Sequence, residues 1–298
     1  MYDIIGKKWW FFIFSGLIII PGIISLLLWG LRLSIDFTGG SLIELKFKND
    51  SANKQTIEEV VKTEKLELVT ITKTRENTYL LRLKPIDKDQ NVKLQSELNQ
   101  KLGQTDELRF ETVGPVIGTE TTKNAFKAVI FASIAIIVYI ALSFRGIPKP
   151  YSSWKFGVAA VVALVHDVLV VVGIFSILGH FYHVEIDSLF ITALLTVMGF
   201  SVHDDIVVFD RIRENMQKLR GEPFDRIVNA SLVQTLARSL STSLTVVFTL
   251  FALLLFSGES IRWFVVTLLV GIISGTYSSI FNASPLLVIW EKSKSKTL

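Results

Sequence analysis

The sequence predicts an α-helical integral membrane protein with six transmembrane helices and one α+β extracytoplasmic domain between spans 1 and 2. Three observations predict it. Half of the 298 residues are hydrophobic, and several apolar runs reach the roughly 20 residues that cross ~30 Å of hydrocarbon. From about Arg32 to Thr122 the character changes, with frequent charges and short apolar runs. Lys and Arg elsewhere gather in alternate loops, as membrane topology requires. A soluble chain would spread its apolar residues over short amphipathic stretches, which excludes a soluble enzyme.

The first span is approximately Trp9–Leu31, opened by Lys7 and Lys8. Basic residues before an apolar core resemble a signal peptide, but the core is too long and no small-residue cleavage site follows. It reads as an uncleaved anchor, and 1–31 as the cytoplasmic N-terminus with span 1.

Residues 32–122 read as the outer domain. Ser41–Phe47, Leu66–Ile71, Thr78–Leu83 and Leu108–Val113 have the composition of strands. Lys54–Glu64 places Ile57, Val60 and Val61 on one helical face, and Asn91–Leu102 aligns Leu94, Leu98 and Leu102. Strand, helix, strand, strand, helix, strand is the ferredoxin-like βαββαβ order. Gly39-Gly40 reads as a turn into the first strand.

Residues 123–290 hold spans 2–6, roughly Ala125–Phe144, Phe156–Leu178, Ser188–Phe209, Leu240–Phe256 and Trp263–Trp290. Arg145, Lys149 and Lys155 mark one loop. Arg211, Arg213, Lys218, Arg220 and Arg226 mark another, and Lys292, Lys294 and Lys296 lie in the tail 291–298. The alternate loops are poor in Lys and Arg, so both termini are expected in the cytoplasm and the domain outside. Within the cytoplasmic loop 210–237, Gly221 breaks the helix and Pro223 can start another. Phe224, Ile227, Val228 and Ser231 give that helix an apolar face for the membrane surface.

No cysteine is present, so disulfides and thiolate metal sites are excluded. His180 and His183 share a short loop without a matching carboxylate, and no phosphate-cradling glycine loop exists. No metal, no cofactor, no bound nucleotide and no nucleic-acid partner are expected. The net charge of +4 follows the membrane ends.

Ionisable groups in a bilayer core are costly and mark function by default. His166 and Asp167 lie twelve residues beyond Lys155, roughly mid-membrane at 1.5 Å per residue. His203, Asp204 and Asp205 interrupt span 4, and Arg238 opens span 5. Ser201, Asp204, Val208 and Arg211 share one stripe, with Asp205 turned about 100° away. Asp205 reads either as a second acid or as a group solvated near the interface. Arg238, Thr242, Thr245 and Thr249 make a polar stripe that must face helices or water. The plainer readings are threonines bonded back to their own backbone and an arginine snorkelling to the surface. Asp204, inside the apolar stretch, fits proton binding, and an Arg238 that approached or withdrew would switch it.

Several segments are similar to one known family. Ile35-Asp36-Phe37-Thr38-Gly39-Gly40, Val113-Gly114-Pro115-Val116-Ile117-Gly118 and the run from Ser201 to Asn215 resemble SecF of the SecD/SecF family. So do Arg238-Ser239-Leu240-Ser241-Thr242-Ser243, Gly258-Glu259-Ser260-Ile261-Arg262 and Gly275-Thr276-Tyr277-Ser278-Ser279-Ile280-Phe281. The resemblance implies a protein-export subunit in the bacterial cytoplasmic membrane, paired with SecD as a pseudo-symmetric heterodimer beside the SecY–SecE–SecG channel. It implies use of the proton gradient to pull preproteins outward, with the essential carboxylate on Asp204 and the essential arginine on Arg238. His166-Asp167 looks like the family's third-span pair, and His166 taken alone reads as a satisfied helix-packing histidine before it reads as a proton relay. His203 and Asp205 depart from the usual Asn-Asp-Thr, offering a further relay site. The expected proton-coupling set is Asp204, Arg238, His203, Asp205 and Asp167, with Ser201, Thr242 and Thr245 as a polar membrane stripe. Partners are SecD, the channel, the preprotein, protons and lipid. The chain reads as a stand-alone SecF or as a piece of a SecD–SecF fusion. The alternatives are a small-molecule efflux pump of the resistance-nodulation-division type, which the short chain disfavours, and a passive scaffold.

Overall fold

The computed structural model describes residues 2–48, 53–73, 78–145, 151–256 and 258–295. Lys149 and Lys296, counted above as topology charges, lie outside them, as does Ser257. The chain divides into two units, Leu33–Phe126 and Met1–Arg32 with Lys127–Leu298.

The smaller unit contains a four-stranded sheet. After the short α2 (Ile35–Thr38) come β1 (Gly40–Phe47), α3 (Lys54–Thr63), β2 (Leu68–Lys73), β3 (Thr78–Leu83), α4 (Lys88–Leu102) and β4 (Thr105–Val113). The strand order is β2-β3-β1-β4, with every neighbouring pair antiparallel. Strand alternation points Ile43, Leu45, Tyr79, Leu81 and Leu83 to one face. There they meet Ile57, Val60 and Val61 of α3 and Leu94, Leu98 and Leu102 of α4. Asn53 caps α3 by accepting from Thr56 N at 2.8 Å, and Asp87 with Gln90 forms a capping box on α4. Three strands differ from expectation, and β1 begins one residue earlier, at Gly40. β2 runs two residues later than Leu66–Ile71, and β4 begins at Thr105, not Leu108. The added β4 residues are polar and gain strand geometry by pairing with Leu45–Phe47, a long-range effect invisible in local alternation.

Gly39 (φ +72°) and Gly40 (φ +129°) adopt conformations that favour glycine. A Cβ on Gly39 would stand 2.9 Å from Pro115 Cα, and one on Gly118 2.7 Å from Gly39 N. The turn is thus pressed against the start of α5 (Pro115–Ser143). That helix begins ten residues before the expected span 2 and carries it.

The larger unit is helical. Among the described residues, six helical spans are long and apolar enough to cross a membrane: α1 (Lys8–Trp29), α5, α6 (Ser153–Tyr182), α7 (Ser188–Lys218), α8 (Phe224–Phe256), and α9 (Glu259–Ser278) continuing into α10 (Ser284–Ser295). The expected separate surface helix at 224–237 is instead the first part of α8. Ile227, Val228 and Leu232 bury that part in the bundle core. Gly221, at φ +95°, does break the chain before it.

Between α9 and α10, Ser279–Ala283 winds as a π-helix, where one straight helix had been expected. Pro285 supplies the reason. It has no N–H to give the carbonyl of Phe281, and its ring crowds that carbonyl, so the preceding turn widens.

Close packing uses small residues, as expected where lipid offers no hydrophobic contrast. A Cβ on Gly22 of α1 would lie 2.9 Å from Gly173 Cα of α6. One turn on, Ser25 and Ser176 hydrogen-bond at 2.8 Å. At the start of α6, Lys155 is not a loop charge. It is buried in an ion pair with Glu291 of α10, beside a perpendicular Trp154–Trp290 contact at 4.8 Å.

Candidate functional site

Four helices converge on a polar centre inside this apolar bundle. Asp167 of α6 is wholly buried. Its Oδ2 accepts from Ser201 of α7 at 2.6 Å and from Ser278 of α9 at 2.7 Å. Its Oδ1 accepts from Ser274 of α9 at 2.7 Å and contacts His166 Nδ1 at 3.0 Å. Ser274 and Ser278 sit four residues apart and therefore share a face. Between them, Gly275 leaves room for α7: a Cβ there would be 3.1 Å from Ser201 Cβ and 3.5 Å from Asp167 Oδ2.

Asp204 lies on α7 at 3% exposure. Its carboxylate is in side-chain hydrogen-bond contact with Ser243 of α8 and Thr276 of α9, and Thr276 donates to Ser243 at 2.6 Å. Asp205, the next residue, is entirely buried, and neither of its oxygens has a hydrogen-bond partner. Three carboxyl groups thus share one water-poor region. Its hydroxyls supply protons to two of them and none to the third. Solvation of Asp205 near the interface is overturned, because the helix–helix contact covers the carboxyl completely.

Other expected members are placed elsewhere. His203 and Arg238 are exposed on this chain, and no ion pair joins Arg238 to Asp204 among the described residues. Thr242 and Thr245 are exposed too. Their hydroxyls donate back to Arg238 O at 3.0 Å and Ser241 O at 2.8 Å, and Thr249 does the same to Thr245 O at 2.9 Å. The stripe from Arg238 to Thr249 is thus exposed on this chain. The inward stripe of α8 is Ser239 and Ser243, one residue further along and so about 100° around the helix. Ser201 does line the site.

Sequence reasoning missed Ser243, Ser274, Thr276 and Ser278 as side chains in contact with the acids. A signal existed. Ser274–Ser279 packs four hydroxyl side chains, a glycine and a tyrosine into an apolar span, and both 239/243 and 274/278 are spaced to share a helix face.

The description "Protein export membrane protein SecD/SecF, C-terminal" belongs to a family model that matches residues 93–293. A SecD/SecF GG motif model matches residues 24–51, which include the Gly39-Gly40 turn. The protein translocase subunit SecF of Thermobaculum terrenum is 49% identical over 98% of this chain and 94% of its own length. The protein translocase subunit SecDF of Bacillus subtilis is 37% identical over 97% of this chain and 38% of its own. The crystal structure of SecDF, a translocon-associated membrane protein, from Thermus thermophilus superposes with a TM-score of 0.84 at 35% identity. That match covers 98% of this chain and 39% of the other, so the chain spans about two fifths of the SecDF proteins it resembles. A polar centre built on the run around Ser201–Asp205, a double-glycine turn demanded by backbone geometry and full-length similarity agree: this chain belongs to the SecD/SecF family of protein export membrane proteins.

Proposed function

We propose that this chain is the SecF part of a protein-export complex that works with SecD and uses the proton motive force to promote preprotein translocation beside the SecY–SecE–SecG channel. One observation supports it most: Asp167, Asp204 and Asp205 are all buried where helices α6, α7, α8 and α9 meet. A structural bundle gains nothing from three acids there, since each is expensive to insert. Acids that exchange protons between two faces need such a place, and a charge crossing 100 mV releases about 2.3 kcal/mol.

In this reading Asp204 is the principal carrier and Asp205 a second acid coupled to it through charge. Asp167 and Ser201 position the helices, while His203 lies on the outward side of α7 with Arg238 exposed on α8. Arg238 then reaches the acids only when α8 shifts or when SecD supplies the opposing surface. Thr242 and Thr245, already satisfied by their own helix, present a low-cost face to that partner. The strand order and helix placement of the smaller unit fit the ferredoxin-like arrangement, here assigned to residues 32–122 outside the cytoplasmic membrane. Residues 1–31 and 123–290 form the membrane part, and both termini with the tail 291–298 are cytoplasmic. No metal or other cofactor enters this scheme.

The test is export of a secreted protein in cells depleted of this chain and rescued with wild type or Asp204→Asn. Asn keeps size and polarity but cannot carry the proton. Rescue by wild type alone, at equal protein levels, is the expected result; equal rescue by both makes Asp204 structural and the motor reading false.

A further inference from the structure

Among the described residues, the buried side-chain atoms without a hydrogen-bond partner are Asn91 Oδ1, His166 Nε2, both oxygens of Asp205 and Ser239 Oγ. His166 is the imidazole among them, and its other ring nitrogen, Nδ1, contacts Asp167. The imidazole side chain is 10% exposed, in the middle of a helix.

The tautomer follows from proton counting. The Asp167 carboxylate takes one hydroxyl proton each from Ser201, Ser274 and Ser278. A carboxylate so served acts as an acceptor only, and the fourth contact, from His166 Nδ1 at 3.0 Å, must also be a donation. With Nδ1 carrying the hydrogen, Nε2 carries a lone pair. That lone pair is buried and unpaired, which costs free energy in the neutral ring.

Resting on the proton-coupled reading above, we infer that His166 Nε2 is a proton-binding site of this unit, with Asp167 as its permanent counter-charge. On loading, a hydronium ion gives its proton to the Nε2 lone pair, an N–H bond forms and water leaves. The carboxylate stays ionised throughout. His166 and Asp167 then alternate between a net charge of minus one and zero, while three hydroxyls hold the anion in place whenever the ring is neutral.

The neighbouring groups are otherwise engaged, except the acids Asp204 and Asp205 of the carrier site proposed above. From α9, the Tyr277 ring lies 6.2 Å away, centroid to centroid, and its hydroxyl proton is committed to Phe11 O at 2.7 Å. From α1, packed along α6, there is no ionisable side chain between Trp9 and Trp29. From α7 come Asp204 and Asp205. From the π segment, Asn282 donates to Ser15 at 2.9 Å, and from α10, Glu291 is paired with Lys155.

Nitrogen NMR of the full chain in lipid nanodiscs, labelled with 15N-histidine, reads the tautomer directly. His166→Asn assigns the signal. Its amide nitrogen stands near the Nδ1 position and can still donate to Asp167, but it offers no base. The expected spectrum under alkaline conditions has an Nδ1–H tautomer with a bare Nε2. Acidification moves that Nε2 signal by the large step to N–H. The signal is lost in His166→Asn. An Nε2–H tautomer, or a His166 signal indifferent to acidification, overturns the inference. Asp204→Asn export is measured in parallel. A titrating His166 beside a harmless Asp204→Asn keeps this site and sinks the motor reading. A flat His166 beside a defective Asp204→Asn does the reverse.

Discussion

The two units of this chain solve opposite problems. In the smaller one, polar residues cover an apolar core, and Ile43, Leu45, Leu81, Leu94 and Leu98 are withdrawn completely from solvent. In the larger one, many apolar residues face outward, and the interior holds Asp167, Asp204, Asp205 and a set of hydroxyls beside its apolar core. Water makes the first arrangement favourable, because each buried side chain contributes roughly 1.5–3 kcal/mol. Lipid removes that contrast, so the second depends on glycine contacts and hydrogen bonds. Truncation should therefore hurt the small unit most, and enlargement or loss of a polar contact should mark the membrane unit.

The largest effect expected is from Leu98→Ala, which leaves a cavity under the sheet. It should cost about 2–5 kcal/mol, measured as faster amide exchange in β1 and β3 of the full chain, with α6 and α7 unchanged. Gly173→Val inverts the test. Its side chain has nowhere to go beside Gly22, and overpacking should cost about 1–3 kcal/mol, seen as a lower thermal midpoint in detergent. Asn53→Ala removes the cap of α3 and should cost about 1 kcal/mol, read as exchange at residues 54–57. The smallest effect sharpens the comparison most. Ser243→Ala removes an interhelical contact worth about 0.6 kcal/mol, whereas Thr242→Val, which removes only a bond to its own helix, should leave the thermal midpoint unchanged. Equal effects from these two would mean that the inward and outward faces of α8 are energetically alike.

The spans were legible because uninterrupted apolar length is a signal that nothing local competes with. Lys54–Glu64 and the strand at Ser41–Phe47 were legible for a related reason, since a single face of each meets one core. What escaped notice depends on partners distant in the chain. The first turn of β4 is a strand only because β1 lies beside it. The join of the 224–237 segment to α8 depends on Ile227 and Val228 finding the bundle core. Asp204 stood out as an acid in an apolar run, but Ser274 and Ser278 did not, because serine is cheap in a membrane helix and gains meaning only from the carboxylate opposite. The stripe from Arg238 to Thr249 has helical periodicity, and periodicity alone does not say which side of a lipid-facing helix is inner.

The π turn at Ser279–Ala283 sets the phase of everything after it. Asp167 and Lys155 grip the sixth span at two levels, through Ser278 and through Glu291. Twelve residues separate the two grips on α6, and thirteen separate them on the sixth span. The surplus residue is taken up where the helix widens ahead of Pro285. Without that slack, an ordinary helix advanced by twelve residues would bring Trp290, whose ring already lies 6.0 Å from Lys155 Nζ, to the place that Glu291 holds. A proline near the end of a span thereby decides which side chain completes an ion pair six residues further on.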